Sequence, residues 1–265
     1  MKITVLTDNV TDRNELETEH GLSCFIETPD KKILFDTGQS PVFLRNAEKL
    51  GVDLSTADLL IISHGHYDHT DGIPAFQEIN QKAKILIHSK AFLPRFHNRK
   101  YIGIDRDVKI PKERILGPYL PANAGKTLFI MDSADMEKVD KPHFEDFYVV
   151  KDQDKRPDEF EDEIYLLEKS EQGLNLVTGC SHHGIVNILN KAKKVFNSEI
   201  NSVFGGFHLK YSGSEAVERT GKLLAEENIN TLITGHCTGY ENFEHLRDTY
   251  LPDLKYGFAG HSFNV

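Results

Sequence analysis

Asp58-Leu59-Leu60-Ile61-Ile62-Ser63-His64-Gly65-His66-Tyr67-Asp68-His69-Thr70-Asp71-Gly72 is the stretch from which the fold is read. Residues 58–62 form a short apolar run, β-branched at its end, as expected of a fully buried strand. The chain then turns sharply at Ser63-His64-Gly65-His66 and offers His64, His66, Asp68 and His69 within six residues. Imidazole nitrogen and carboxylate oxygen are good ligands for zinc and other first-row divalent metals. Four such groups are too many for one open catalytic site if other segments also contribute. Two adjacent metals are the simpler inference, with His64 and His66 serving one and Asp68 and His69 the other. A polar loop that happens to be rich in histidine is the bland alternative. Against it stands the position directly after a buried strand, where α/β proteins place their sites.

Further metal-capable residues stand at strand ends. Three runs in the second half end in a histidine: Gly179-Cys180-Ser181-His182, Gly205-Gly206-Phe207-His208 and Thr234-Gly235-His236. Glycine or a small residue sits beside each, so the backbone can turn and present the imidazole. In the first half the Ile33-Leu34-Phe35 strand ends in Asp36-Thr37-Gly38.

His64-Gly65-His66-Tyr67-Asp68-His69 resembles the His-x-His-x-Asp-His signature of the metallo-β-lactamase-fold superfamily, and the likeness extends over nearly the whole chain. The resemblance implies an α/β fold, an αββα four-layer sandwich, built as one domain over residues 1–265. It implies that His236 joins Asp68 and His69 at a second metal, and His182 is chosen as third ligand of the first. Asp36 matches the first superfamily motif, which implies a hydrogen bond that fixes the metal loop. Cys180 stands where the superfamily usually has a carboxylate bridging the two metals. The usual histidine of the third motif has no counterpart near 160–165, where Glu161, Asp162 and Glu163 stand. Either His182 replaces it or one of those carboxylates does. Asp8-Asn9, His20-Gly21-Leu22-Ser23, Gly179-Cys180-Ser181-His182, Gly205-Gly206-Phe207-His208 and Thr234-Gly235-His236-Cys237-Thr238-Gly239 resemble a subgroup of dihydropterin–ribofuranosylaminobenzene phosphate synthase-related proteins. That implies a phosphate-bearing or pterin-like substrate; His20 and His208 are read as facing it, with a ligand role for His208 as the alternative.

Working outward, strands are expected over residues 2–8, 24–27, 32–35 and 83–87, with a helix from Pro41 to Leu50 stopped by Gly51. Asp71 is read as the N-cap of a helix through Ile73, Phe76 and Ile79. Residues 94–160 are expected to be a loop-rich insertion or lid, with two or three strands near Thr127–Met131 and Asp146–Val150. Ile164–Leu167 and Leu174–Val177 read as a hairpin, followed by alternating helices and strands in which His183 is a helix-start residue on the surface. Lys255 to Val265 is left to close the sheet.

Composition narrows the function. A formal net charge of -10 argues against RNA or DNA, which usually needs a basic surface. No run approaches the ~20 apolar residues of a membrane span, and the N-terminus enters a strand pattern directly. Cys24, Cys180 and Cys237 are an odd, sparse set, which speaks for a reducing cytoplasm over a disulfide framework. The expected function is a hydrolase with two divalent metal ions, zinc first and manganese or ferrous iron as alternatives, acting on a small molecule. Asp68 would orient the attacking water and His208 would meet the leaving group. A pterin-condensing synthase using the same metals, or a metal-bearing sensor module without catalysis, are the other readings. Oligomeric state is left open.

Overall fold

The structure, a computed structural model, describes residues 1–116, 126–134, 136, 147–151 and 154–265. Its first half runs β1 (Lys2–Thr7), β2 (Ser23–Glu27), β3 (Lys32–Phe35), α1 (Val42–Lys49), β4 (Leu59–Ile61), α2 (Tyr67–Thr70), α3 (Ile73–Ile79) and β5 (Lys84–Leu86). The middle holds β6 (Arg95–His97), β7 (Lys100–Tyr101), β8 (Ile115–Leu116), β9 (Leu128–Asp132), β10 (Phe147–Lys151) and β11 (Asp154–Pro157). The second half runs β12 (Ile164–Ser170), β13 (Gly173–Val177), α4 (Ile185–Phe196), β14 (Ile200–Gly205), α5 (Ser214–Ala225), β15 (Thr231–Thr234), α6 (Tyr240–Thr249), β16 (Lys255–Tyr256) and β17 (Ser262–Asn264).

Two mixed sheets carry the architecture, ordered β17-β1-β2-β3-β4-β5-β8 and β16-β15-β14-β13-β12-β9. Strand residues alternate between faces, and here both faces are apolar. Ile3, Val5, Ile33, Phe35 and Ile61 meet Ile130, Leu166, Val177, Phe204 and Ile233 between the sheets. The alternate residues Leu34, Leu60 and Ile85 pack outward on Phe43, Ala47, Ile73 and Phe76 of α1 and α3. Leu174, Leu176 and Val203 pack outward on Ile188, Leu189, Val217 and Leu246 of α4, α5 and α6. Helices thus flank two face-to-face sheets, the αββα sandwich expected from the sequence. Each fully buried Leu, Ile or Phe contributes about 1.5–3 kcal/mol of burial, which is why the continuous apolar runs set the layers.

The segment 94–160 holds more strand than the sequence reading gave it. β6, β7, β10 and β11 form a separate small sheet, ordered β11-β10-β6-β7, while β8 and β9 edge the two main sheets. Strands of two to five residues have no readable period, which hid them. Asp146, part of one expected strand, lies outside the described residues. Three further expectations are corrected. Asp71 ends α2, and Gly72 precedes α3; the Asp71 carboxylate accepts instead from the Asp105 amide at 3.2 Å. His183 is half-buried, with Nε2 3.0 Å from the Phe160 carbonyl, and α4 begins later, at Ile185. The C-terminal segment splits, β16 joining one main sheet and β17 the other.

Candidate metal centre

The parallel strands β3 and β4 end side by side, so Asp36 and the loop after Ile61 emerge at one edge of the sandwich. The loop is fixed from three sides. Asp36 accepts from the Ser63 amide and the Ser63 hydroxyl, each at 2.7 Å. Asp162 accepts from the Gly65 amide at 2.7 Å and pairs with the buried Arg95 at 2.6 Å. Gly65 itself leaves no room for a side chain: a Cβ there would run into the Ala91 carbonyl. Asp36, Ser181, His208 and His236 all take left-handed backbone, with φ of 56°, 56°, 53° and 48°. Such conformations are uncommon outside glycine and cluster where a site is held in place.

His64, His66 and His182 come together. His64 Nε2 lies 3.0 Å from His66 Nδ1 and 3.2 Å from His182 Nε2. Burial holds all three imidazoles well below the usual histidine range, helped by neighbouring positive groups and opposed at His66 by Asp68, so they are neutral. The Ser63 hydroxyl gives its proton to Asp36, so it accepts from His64 Nδ1, 2.9 Å away. That leaves His64 Nε2 as an acceptor, its lone pair aimed at His66 Nδ1 and His182 Nε2. Lone pairs converging in a buried site are what a cation requires, and these residues fit one.

A second group forms around Asp68. Its Oδ2 lies 3.2 Å from His20 Nε2, 3.3 Å from His236 Nε2 and 3.7 Å from His69 Nε2. Cys180 Sγ is 3.2 Å from His69 Nε2. The other His69 nitrogen, Nδ1, donates to Asp36 at 2.7 Å. Burial disfavours a charged His69, but the Asp36 and Asp68 carboxylates outweigh it and raise the imidazole to about 9. A metal arriving here displaces a proton. Burial pushes His20 down to about 4, although Asp68 opposes the shift, so His20 is neutral near pH 7.

The sequence motifs around these groups have structural reasons. Asp8 accepts from the His236 amide at 2.7 Å, and the Asn9 side chain reaches His236 Nδ1 at 3.0 Å and His20 Nδ1 at 3.3 Å. Asp8-Asn9 therefore sets both rings, which stack with centroids 5.1 Å apart. Burial raises the Asp8 carboxyl to about 6. Glu163 accepts from the His182 amide at 2.8 Å and from the Tyr165 hydroxyl at 2.6 Å. Glu161 is exposed and pairs with Lys90. Among the described residues none of Glu161, Asp162 and Glu163 enters a cluster of convergent ligand atoms, whereas His182 enters two. His208 stands against His182, ring centroids 4.3 Å apart, and clusters with Cys180 and His182.

Both groups open onto a cavity of about 370 Å³, with His20, His66, Asp68, His208 and His236 on its walls. Sequence reading missed Lys100, Lys210, Tyr67, Phe147 and Cys237, which also line it. Two of them carried a local signal, Tyr67 inside the His64–His69 motif and Cys237 beside His236.

The family model of the metallo-beta-lactamase superfamily matches residues 17–189. An uncharacterized protein of Methanocaldococcus jannaschii is 31% identical, over 97% of this chain and 98% of its own. A protein of the same organism named 7,8-dihydropterin-6-methyl-4-(beta-D-ribofuranosyl)-aminobenzene-5'-phosphate synthase is 30% identical, over 92% of this chain and 89% of its own. The crystal structure of a metal-dependent hydrolase of the beta-lactamase superfamily superposes with a TM-score of 0.86 at 33% identity, covering 100% of this chain and 99% of that one.

Proposed function

The chain belongs to the metallo-beta-lactamase superfamily, and we propose that it is a metal-dependent hydrolase with a dinuclear site, acting on a phosphate-bearing or pterin-like small molecule. The observation that carries this reading is that ligand atoms of His64, His66 and His182 converge in one group and those of His20, Asp68 and His236 in another, both reaching one cavity. His64, His66 and His182 would hold the first ion; Asp68, His69 and His236 the second, with Cys180 beside them. Zinc suits this nitrogen-rich set, and manganese or ferrous iron are the alternatives.

When bound, such ions act as Lewis acids and make hydroxide available near neutral pH. The chain's own groups do the rest. Asp68 is held between His20 and His236 and orients the attacking water. His208, at the cavity wall, meets the leaving group or an anionic oxygen. Neutral His20 braces Asp68 and faces substrate. Lys100 and Lys210 place positive charge at the cavity of a chain whose net charge is -10. That local field favours an anionic substrate. Among the described residues no helix is long and apolar enough to cross a membrane.

The synthase relative favours a second reading, in which the same metals activate a leaving diphosphate for condensation with a pterin. A metal-bearing sensor would show neither reaction. A panel of phosphate esters and pterin phosphates, incubated with metal-loaded protein in water labelled with heavy oxygen, separates the three. Label in the product and loss of turnover on chelation support hydrolysis. Chelator-sensitive turnover without label supports condensation, and no turnover of any substrate supports the sensor.

A further inference from the structure

We propose that Cys180 and Cys237 jointly give the second metal position a thiolate face, making it a site for zinc, cobalt or ferrous iron over magnesium or manganese. This rests on the two-metal reading above and deepens it.

The three cysteines divide into two kinds. Cys24 lies wholly within the apolar layer between the sheets, among Ile3, Val5 and Phe35. Cys180 and Cys237 instead lie on the cavity wall with His236. The sulfurs of Cys180 and Cys237 and a ring nitrogen of His236 are within 4.8 Å of one another. Around a tetrahedral zinc, Zn–S of about 2.3 Å and Zn–N of about 2.0 Å place ligand atoms roughly 3.3–3.8 Å apart. A small contraction of the observed cluster would suffice. Cys180 Sγ already stands 3.2 Å from His69 Nε2, and Cys237 Sγ points toward the Cys180 carbonyl at 3.5 Å.

The sequence builds this meeting deliberately. Cys180 and Cys237 follow β13 and β15, which are separated in the sheet by β14. Their loops can meet only by closing over the end of β14, where Gly205-Gly206 stands. A Cβ on Gly206 would collide with Cys237 Sγ and come within 3.0 Å of the Gly179 carbonyl. His236, at a φ of 48°, turns the backbone so that consecutive residues, His236 and Cys237, both reach the cavity.

Charge supplies the second argument. His64, His66, His182, Asp68, His69 and His236 offer two divalent ions a single negative charge, that of Asp68. Two thiolates raise the total to three. Thiolate ligands select softer metals.

Zinc-loaded wild-type protein, kept reduced, should show sulfur as well as nitrogen and oxygen scatterers by X-ray absorption, averaging one sulfur per zinc when two zincs are bound. Cobalt-loaded protein should show a near-ultraviolet thiolate-to-cobalt absorption band, weakened in Cys180→Ser and in Cys237→Ser and absent from the double variant. Cys24→Ser should leave the band unchanged. Zinc bound with nitrogen and oxygen scatterers alone overturns the proposal while leaving the two-metal reading intact. So does a band insensitive to Cys237→Ser. Failure of the folded wild type to bind either metal overturns the underlying reading, and this proposal with it.

Discussion

Asp36 Oδ2 stands 2.7 Å from His69 Nδ1, with both side chains wholly buried. The same oxygen takes the Ser63 hydroxyl proton, and Ser63 in turn faces His64. One carboxylate therefore orients an imidazole in each donor group without joining either. Asp36→Ala should weaken metal binding by about 10–100-fold, the usual cost of losing a partner behind a ligand. Asp36→Asn should recover part of it. Binding isotherms for the purified variants check this, and an unchanged affinity would reduce Asp36 to a turn residue.

Arg95 is the largest wholly buried side chain among the described residues, and it ties the small sheet to the metal loop. It pairs with Asp158 at 2.8 Å and with Asp162 at 2.6 Å, and Asp162 holds the Gly65 amide. Removing one member of a buried ion pair strands the other charges. Arg95→Ala should lower unfolding free energy by about 3–5 kcal/mol. Denaturant titration of the metal-free protein measures it, and a loss below about 1 kcal/mol would mean that Asp158 and Asp162 find other partners.

Gly65 separates the first two histidines of the loop, and the Ala91 backbone occupies the space a side chain would need. Gly65→Ala must therefore shift the loop or the short helical turn at Ser89–Phe92. The expected outcome is loss of the metals together with destabilisation at or above the ~1–3 kcal/mol typical of overpacking. A variant that keeps wild-type metal content and melting temperature would show that the loop yields freely.

Lys100 and Lys210 line the cavity beside Tyr67 and Tyr211, with each ammonium 5.2 Å and 5.4 Å from the ring centre. If they meet an anionic substrate, each contact is a charge-assisted one worth about 1.5–3 kcal/mol. Lys100→Ala and Lys210→Ala should each raise KM at least about tenfold, from that energy. Added salt should narrow the gap to wild type. A change in kcat alone would place the lysines in a different role.

The parts of the fold that were legible are those with dense local signal. Leu59–Ile62 is continuous and apolar because the strand is buried on both faces, and that pattern needs no partner to be read. His64, His66, Asp68 and His69 were legible because four donors share six residues. His182, His208 and His236 were singled out by their places after apolar strands beside glycine or small residues, and His236 also by the family resemblance. What stayed hidden was long-range. Glu163 looked like a ligand candidate, yet its oxygens are taken by backbone amides and Tyr165, a fact no local spacing encodes. Lys100 and Lys210 are 110 residues apart in the sequence and come together only at the cavity. Cys237 reaches Cys180 because Gly206 lets two loops close over β14.

The central claim is that one cavity holds two metal ions on separate donor groups. Elemental analysis of folded protein, stripped and then dialysed against zinc, tests it most directly when run beside His182→Ala and His236→Ala. Two zinc ions per chain are expected in the wild type and about one in each variant, lost from different groups. No retained metal in folded wild-type protein, or two ions undisturbed by both substitutions, would contradict it.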